Sequence, residues 1–384
     1  MFPGTRQCQG PAYRVGVRIA FLNWRDTANP EGGGSEVYVH EIARRLVERG
    51  HDVSQVCAAH GQAPDLEIVD GVRLVRRGSK LTVYGKARQI LRRGALGPID
   101  VIVDTQNGIP FLAPWAVRTP TIVLCHHVHR EQWPVVYDPV RARIGWWVES
   151  RLAPWVYRRN RYVSCSQASA DELSSLGVDP DRITVVHPGV NPPVVADMPG
   201  RDPNPRILLM GRLVPHKRFE HALRAAGRLR ARFPGLTVAV VGDGWWSDRL
   251  RECAEEAGVA DIVEFTGFVT EEQKAHELAR AWVMALPSLK EGWGIVVIEA
   301  ALAGVPTVAY RDAGGVTESI VEGETGLLVE GDEAEFTRAL ETLLADDALR
   351  EKLGDQARSH AQTFTWDAAT DEFERVMREV AQQG

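Results

Sequence analysis

The chain has 384 residues, a formal net charge of −6, and 44% hydrophobic and 25% charged residues, values typical of a globular protein. Its length predicts two domains; it has no apolar run near the ~18 residues of a membrane-spanning helix and no secretion signal in its opening MFPGTRQCQGPAYR. Five scattered cysteines without a C-x-x-C pair argue against a disulfide framework or zinc site, so we expect a reducing, cytoplasmic location.

Short β-rich apolar runs alternate with helix-period segments, which is the pattern of parallel α/β layers. A helix is predicted within EVYVHEIARRLVERG (36–50), with its buried stripe formed by Val39, Ile42, Ala43 and Leu46. The strands predicted in the first half are 18–23, 52–58, 100–105, 121–126, 161–166 and 183–188.

Residues 189–205 contain five prolines and no helical period, and we place the interdomain linker there, at 193–205. The sequence thus predicts two doubly wound, Rossmann-like domains, 1–192 and 206–365, with ligands bound at the carboxyl ends of strands that face a shared cleft. The strands predicted in the second half are 206–211, 236–242, 262–267, 282–288 and 306–310.

The segment GRLVPHK (211–217) leaves a strand and turns at Gly211, where backbone can approach a ligand. Arg212 and Lys217 offer two fixed cations beside this turn. Such a pair suits a diphosphate, because the charge on departing phosphate must be stabilised in place. Surface cations on an ordinary turn would give the same pattern.

The segment EGWGIVVIE (291–299) offers a second half of such a site. Gly292 and Gly294 let the loop approach a ligand, and the helix that begins near Ile295 presents free N–H groups and the positive end of its dipole. Glu299 lies within reach of sugar or ribose hydroxyls, which carboxylates accept in pairs. A carboxylate that only stabilises the start of the helix is the alternative.

Two other glycine-bearing loops invite a dinucleotide interpretation. Gly32, Gly33 and Gly34 follow the first strand and could admit a phosphate, but NPEGGGSEV is not G-x-G-x-x-G and no acidic residue ends a second strand about 20 residues on. VGDGWW (241–246) lacks the third glycine. A dinucleotide-dependent dehydrogenase is therefore disfavoured.

The segment HHVH (126–129) ends a strand at the expected cleft mouth. Imidazoles are common metal ligands, but no matched carboxylate cluster accompanies His126, His127 and His129. We expect no metal site here, and a polar, substrate-facing role for at least one histidine, with a structural role as the alternative.

The first half of the chain is the more basic one. Residues 1–199 hold 24 Lys and Arg against 19 Asp and Glu, whereas 200–384 hold 21 against 32. The stretch 141–162 has six arginines, three tryptophans and one glutamate, and 71–99 has eight cations and no acid. An apolar stripe of Ile144, Val148, Leu152 and Trp155 predicts a helix packed on the core; peripheral attachment to the inner face of a membrane is the alternative.

Taken in order, these motifs resemble the family 4 retaining glycosyltransferases of the GT-B fold, also described as glycosyl transferases group 1. EGWGIVVIE keeps the E-x7-E spacing of that family, and the combination is highly specific although each fragment alone is not. The resemblance covers most of the chain, through GGGSE…HEIARRLVERGHDV, CHHVH, VSCSQAS…LGVDPDRITVVHPGVN, GRLVPHK, VVGDGW, FTGFV, PSLKEGWGIVVIEAALAGVPTVAY and GGVTESI…GETGLLV.

The resemblance implies that the first domain binds an acceptor and the second a nucleoside-diphosphate sugar, a UDP- or GDP-sugar, from which a hexosyl group passes to an acceptor hydroxyl. It implies retention of configuration, for which we expect front-face substitution, and we expect no cofactor, no metal and no nucleic-acid partner. The implied residues, by role, are catalytic His126, Arg212, Lys217 and Glu291; donor-binding Gly33, Gly34, Gly211, Arg212, Lys217, Gly242, Phe268, Glu291, Gly292, Trp293, Gly294, Ile295 and Glu299; and acceptor-side His127 and His129.

Within that set, Arg212 and Lys217 match the pair that binds the diphosphate, Glu299 the ribose ligand and Glu291 the residue on the donor-sugar hydroxyls. Three positions depart from the family pattern: Trp293 replaces Phe, Arg218 a glycine and Asn191 an aspartate.

The resemblance also implies that a last helix, 366–384, crosses back onto the first domain. A nucleotide-sugar epimerase or hydrolase of the same fold, and a non-catalytic sugar-nucleotide-binding module, are the competing interpretations.

Overall fold

The computed structural model describes residues 16–192 and 197–382. The predictions for the first fifteen residues, including the absence of a secretion signal, lie outside the described residues, as do positions 193–196 of the linker and the last two residues of the final helix. Within the described ranges, every helix is too short or too polar to span a bilayer.

The first sheet has eight strands in the spatial order β3-β4-β2-β1-β5-β6-β7-β8. All neighbouring strands are parallel except β3 and β4. The strands are β1 (Arg18–Leu22), β2 (Asp52–Cys57), β3 (Leu66–Val69), β4 (Val72–Arg76), β5 (Val101–Gln106), β6 (Thr121–Cys125), β7 (Arg161–Ser164) and β8 (Ile183–Val185).

The hairpin β3–β4 was not predicted. Its two-residue turn has φ of 48° at Asp70 and 78° at Gly71, the positive values that favour Asp-Gly in tight hairpins. β4 then pairs in parallel with β2, so the hairpin forms one edge of the sheet, with β3 as its outermost strand. The sheet is therefore mixed at this edge instead of fully parallel.

The second sheet has six parallel strands in the order β11-β10-β9-β12-β13-β14. Five were predicted to within two residues, and β14 was missed. The strands are β9 (Arg206–Met210), β10 (Thr237–Val241), β11 (Val263–Gly267), β12 (Val283–Leu286), β13 (Thr307–Tyr310) and β14 (Gly326–Val329).

Helices cover both sheets. The stripe predicted on α1 is confirmed, since Val39, Ile42, Ala43 and Leu46 are fully buried. The helices are α1 (Gly34–Glu48), α2 (Val83–Arg92), α3 (Trp133–Val136), α4 (Pro139–Trp147), α5 (Ala153–Val156), α6 (Gln167–Ser175), α7 (Phe219–Leu229), α8 (Ser247–Glu256), α9 (Glu271–Arg280), α10 (Ile295–Leu302), α11 (Val316–Ser319), α12 (Glu333–Ala345), α13 (Asp347–Ala361) and α14 (Trp366–Ala381).

The last helix, α14, packs against α1, β5 and β6 of the first sheet. Phe373 stacks on Phe21 of β1 with ring centroids 6.0 Å apart, and Arg49 lies 2.7 Å from Asp371 and 2.9 Å from Glu374. The chain thus leaves the first sheet and returns to it with its last helix.

The prediction that the stripe in 141–162 packs on the core is wrong for its two ends. Ile144 and Trp155 are more than half exposed. The segment is α4, a π-helical turn (Val148–Leu152) and α5. The buried positions of α4 and the π-helical turn are instead small or polar, Ala142, Gly145, Glu149 and Ser150.

Candidate active site

Two helices from different sheets begin close to each other. A Cβ placed on Gly34, the first residue of α1, would lie 3.4 Å from Cδ1 of Ile295, the first residue of α10. The first turn of a helix carries unpaired N–H groups and the positive end of the helix dipole. Two such ends facing one gap make a site for an anion.

Arg212 crosses this gap from the loop after β9. Its Nη1 donates to the carbonyl of Glu31 at 3.3 Å, and a Cβ on Gly33 would lie 3.0 Å from its Nε. Burial lowers the pKa of Arg212 from its ordinary value, with neighbouring Arg25 acting in the same direction. The guanidinium therefore sits in a poorly solvated place beside a second cation, where an anion would stabilise it.

Arg25 is a cation that the sequence reasoning missed. It is buried, its Nη1 donates to the carbonyl of Glu31 at 2.5 Å, and its Nε lies 3.1 Å from Glu36. Glu36 in turn accepts from the backbone N–H of Gly33 at 2.8 Å. The signal was available, because NWRD directly follows β1, where the ends of parallel strands present ligand-binding side chains.

Lys217 and Glu291 form an ion pair, with Nζ 2.5 Å from Oε1. Ser288 also donates to this Oε1, at 2.6 Å. Glu291 is 8% exposed, and its Oε2 has no partner among the described residues. The ion pair thus engages one oxygen of the carboxylate and leaves the other free to accept from a hydroxyl.

The glycines around this loop are required by close packing. A Cβ on Gly292 would lie 2.7 Å from the carbonyl oxygen of His126, on the opposite sheet, and Gly294 has φ of 89°. Trp293 between them is buried against His187 and Phe364, at centroid distances of 5.8 and 4.8 Å. Its ring therefore fills the core between the sheets, and a donor contact at this position would come from backbone.

Glu299 pairs with a residue that was not foreseen, Lys274 of α9, at 2.7 Å from Nζ to Oε1. Burial raises the pKa of Glu299, and Lys274 opposes this shift. This ion pair accounts for a carboxylate in an otherwise apolar helix. A fifth of the side chain remains exposed, and its role as ribose ligand stays a prediction.

His126 follows β6 and lies edge-on to Tyr38 of α1, with centroids 5.1 Å apart. Burial lowers its pKa to about 4, so the imidazole is neutral at physiological pH. Its Nε2 is buried with no hydrogen-bond partner. Buried polar atoms are normally paired, so this nitrogen is a natural contact for a bound ligand.

The other two histidines of HHVH are held by first-domain side chains. His127 Nε2 lies 3.3 Å from Oε1 of Gln132, and burial lowers its pKa well below the ordinary value. His129 Nδ1 lies 2.9 Å from Oε1 of Glu149, which is fully buried and also accepts from Trp133 Nε1 at 2.7 Å. Both rings remain acceptor-side candidates.

His216, within GRLVPHK, is a further histidine near this cleft. Burial lowers its pKa to about 3, assisted by Lys217 and Arg212. Its carbonyl accepts from the N–H of Leu289 at 2.8 Å, which ties the loop after β9 to the loop after β12. Among the described residues, no group of three or more His, Cys, Asp or Glu side chains is arranged to hold a metal ion.

The remaining predicted donor residues lie at the ends of β10 and β11. Gly242 has φ of 130°, and a Cβ there would lie 2.0 Å from the carbonyl oxygen of Gly211. Phe268 is 90% exposed and has no packing role of its own.

Two of the positions that depart from the family pattern have a visible local structure. Arg218 has φ of 49°, a value natural for the glycine it replaces. Asn191 accepts a hydrogen bond from Arg45 at 3.2 Å.

Contacts between the two halves surround the cleft. Glu318 accepts from the backbone N–H groups of Gln167 and Ala168, at 2.8 and 2.9 Å, and so caps α6 from the opposite domain. Lys290 forms an ion pair with Glu172. The two walls of the cleft are therefore in contact.

This architecture defines a GT-B glycosyltransferase, and the comparisons agree. The family model described as Glycosyltransferase Family 4 matches residues 32–193, and the one described as Glycosyl transferases group 1 matches 198–360. The chain belongs to the family 4 glycosyltransferases, which confirms the resemblance read from its motifs.

Relatives of known name are similar over nearly the whole chain. A D-inositol 3-phosphate glycosyltransferase of Acidothermus cellulolyticus is 32% identical over 91% of this chain and 86% of its own; one of Streptomyces coelicolor is 30% identical over 88% and 85%.

Solved structures at lower identity share the fold. Sucrose-phosphate synthase from Thermosynechococcus elongatus has a TM-score of 0.80 at 20% identity, covering 96% of this chain and 100% of that one. Anabaena HepE in complex with UDP-glucose has a TM-score of 0.74 at 20% identity, covering 94% and 100%.

Proposed function

We propose that the protein transfers a hexosyl group from a UDP- or GDP-sugar to a hydroxyl of an acceptor, with retention of configuration and without a protein-bound metal ion. The convergence of the α1 and α10 N-termini with Arg212 and Lys217 carries this proposal, because together they suit a diphosphate. The solved complex of HepE with UDP-glucose supports a nucleotide-sugar donor, and the names of the relatives make D-inositol 3-phosphate a first acceptor to test.

In the proposed reaction, the acceptor oxygen bonds to C1 of the sugar on the face from which the phosphate departs. The bond from C1 to the phosphate oxygen breaks, and the acceptor proton passes to that oxygen. Negative charge grows on the diphosphate as it leaves. Preorganised cations and N–H groups stabilise such charge most when water is excluded, and here these would be Arg212, Lys217 and the two helix ends.

On the sugar side, Glu291 Oε2 and His126 Nε2 are the atoms free to bind hydroxyls. A neutral imidazole can donate or accept a hydrogen bond, and the depressed pKa of His126 keeps it neutral during turnover. Both residues would fix the sugar so that C1 faces the acceptor. Orientation of this kind contributes a large share of the rate in transfer reactions.

Closure of the two domains would exclude water from C1 of the sugar while its bond to the phosphate breaks. Three contacts hold the walls together: Glu318 caps the start of α6, Lys290 pairs with Glu172, and Gly292 packs against the carbonyl of His126. Each joins a residue of the first domain to a residue of the second. Hydrolysis of the donor would rise if these contacts were lost.

The first experiment is a thermal-shift screen against UDP-, GDP-, ADP- and TDP-sugars, with EDTA present throughout. We expect a UDP- or GDP-sugar to raise the Tm of the parent protein, and Arg212→Met to abolish that shift. Arg228→Met is the matched control, because Arg228 is half exposed and lies outside the cleft; it should leave the shift unchanged.

The second experiment adds acceptors, beginning with D-inositol 3-phosphate, to the donor that binds. Transfer in EDTA supports the proposal. Rapid conversion of the donor without acceptor would identify an epimerase or hydrolase instead, and binding without any turnover would favour a non-catalytic module. No response to any of the four nucleotide classes would contradict a nucleotide-sugar site altogether.

A further inference from the structure

The rod formed by α4, the π-helical turn and α5 exposes large apolar side chains along one side. Val140, Ile144 and Trp147 follow each other at helical spacings of four and three residues. The π turn adds one residue to the helical phase, so the eight residues from Trp147 to Trp155 correspond to about two α-helical turns. All four side chains are between 55% and 65% exposed.

This side extends onto neighbouring loops. Trp115 is 46% exposed and lines one surface cavity together with Trp155. Arg92, from the acid-free stretch that contains α2, donates to the carbonyl of Trp115 at 2.9 Å. The apolar surface of the rod therefore reaches Trp115, and Arg92 adds a cation beside it. Contiguous exposed apolar surface of this kind marks an interaction site more often than scattered residues do.

Arginines surround these apolar side chains. Arg143, Arg151 and Arg159 are exposed and form no ion pair within the described part of the chain, while Arg158 stacks over Trp155 at 5.3 Å. The one carboxylate of the rod, Glu149, is fully buried and engaged with His129 and Trp133. We call this surface the basic face, defined by Trp115, Val140, Ile144, Trp147, Trp155, Arg143, Arg151, Arg158 and Arg159.

The chemistry of the basic face selects its partner. Tryptophan at the level of the headgroups, aliphatic side chains beneath it and arginines around it are what an anionic bilayer surface binds. A second copy of the chain would bring the same unpaired arginines against each other, which is unfavourable in a symmetric interface. A nucleic acid would leave Val140 and Ile144 against phosphates and water.

We propose that the basic face docks this protein on an anionic membrane surface as a peripheral protein. The rod that carries the basic face also reaches the candidate site with its buried side, because Glu149 holds His129, and α3, which precedes the rod, contacts the turn Pro215–Lys217. The docking goes beyond the proposed transfer reaction and does not depend on it. Membrane binding without turnover, or turnover without membrane binding, would separate the two.

The experiment is co-sedimentation of the full-length protein with vesicles of phosphatidylcholine alone and of phosphatidylcholine with 30% phosphatidylglycerol, a composition chosen to set the surface charge. We expect binding to the anionic vesicles, weakened at least ten-fold between 50 and 500 mM salt, and little binding to neutral ones. A blue shift of tryptophan fluorescence should accompany binding.

Matched variants locate the contact. Ile144→Asp should lower the partition coefficient at least ten-fold. Ile68→Asp introduces the same charge at an exposed isoleucine of β3, 72% exposed against 59% for Ile144, and should leave the partition coefficient unchanged. The double variant Arg143→Gln, Arg151→Gln should lower it by about five-fold per arginine, the equivalent of ~1 kcal/mol each. Arg338→Gln, Arg375→Gln on α12 and α14 is the control for the lost charges.

The outcomes decide the proposal. Selective loss in Ile144→Asp and in the Arg143, Arg151 pair supports docking through the basic face. Absence of binding to anionic vesicles at 50 mM salt overturns it. Equal loss in Ile144→Asp and Ile68→Asp, or equal binding to neutral and anionic vesicles, also overturns it, because the contact would then not depend on this face or on its charge.

Discussion

Replacing Lys217 by methionine removes the cation that is proposed to meet the leaving diphosphate, while it keeps most of the side-chain volume. Lys217 is only 14% exposed, so water screens its charge poorly, and its Nζ is held 2.5 Å from Glu291. A unit charge about 4 Å from the growing negative charge is worth ~4 kcal/mol at an effective dielectric constant of about 20. We therefore expect the rate of transfer to fall by about three orders of magnitude.

The variant also leaves Glu291 in the cleft without its partner. Because the two residues act together, Lys217→Met combined with Glu291→Gln should lose less activity than the sum of the two single losses. Lys352→Met, at an exposed lysine of α13, is the control for the loss of a positive charge and should retain full activity.

The assay is single-turnover release of nucleoside diphosphate at saturating donor, preceded by thermal denaturation of each variant to show that it is folded. A loss of less than ten-fold for a folded Lys217→Met protein would refute the assignment of this lysine to the leaving group. A comparable loss in Lys352→Met would refute the electrostatic argument itself.

Three further outcomes follow from the geometry. The Cβ that Gly292→Ala adds would lie 2.7 Å from the carbonyl oxygen of His126, so this variant should hinder closure and raise the KM for the donor in steady-state kinetics. An unchanged KM would mean that the walls do not close at this position. The pKa of His126 is about 4 in the folded protein and about 6.5 in the unfolded chain, so its contribution to stability is complete above pH 6.5 and is lost as the pH falls towards 4, by up to ~3 kcal/mol. In urea unfolding from pH 7.5 to 5, the free energy of unfolding should decline less steeply for His126→Asn than for the parent protein. Equal slopes would contradict this. Glu149→Gln leaves either His129 or Trp133 without its hydrogen-bond partner, so it should lower the free energy of unfolding by about 1–3 kcal/mol. It should also raise the KM for the acceptor substrate more than the KM for the donor. A loss of stability alone would assign Glu149 a purely structural role.

Most of the fold could be predicted because its strands are apolar runs bounded by polar turns. The hairpin β3–β4 escaped because its edge strands alternate apolar and charged residues, although the Asp70-Gly71 turn was a usable signal. β14 is only four residues long and follows a turn. In the segment 141–162, periodicity indicated an apolar stripe correctly but could not say whether protein or solvent covers it.

The candidate site was predictable where motif and position coincide. Arg212, Lys217 and Glu291 lie on loops that leave strands, so their approach to one cleft follows from the parallel topology. The partners Lys274 and Glu149 were not predictable, since each contact joins elements whose relative placement depends on tertiary packing. Arg25 carried a signal, its place directly after β1, that could have been used.

The central claim is retaining transfer from a nucleotide sugar, and the anomeric configuration of the product tests it most directly. The protein would be incubated with UDP-glucose or another α-linked UDP- or GDP-sugar that it binds, with an acceptor and EDTA, and the new glycoside examined by proton NMR. We predict an α-linked product, recognised by the one-bond coupling between C1 and the anomeric proton, which separates the two anomers for both gluco- and manno-configured sugars. A β-linked product would contradict retention, and the absence of transfer from every nucleotide sugar that binds would contradict the proposed function.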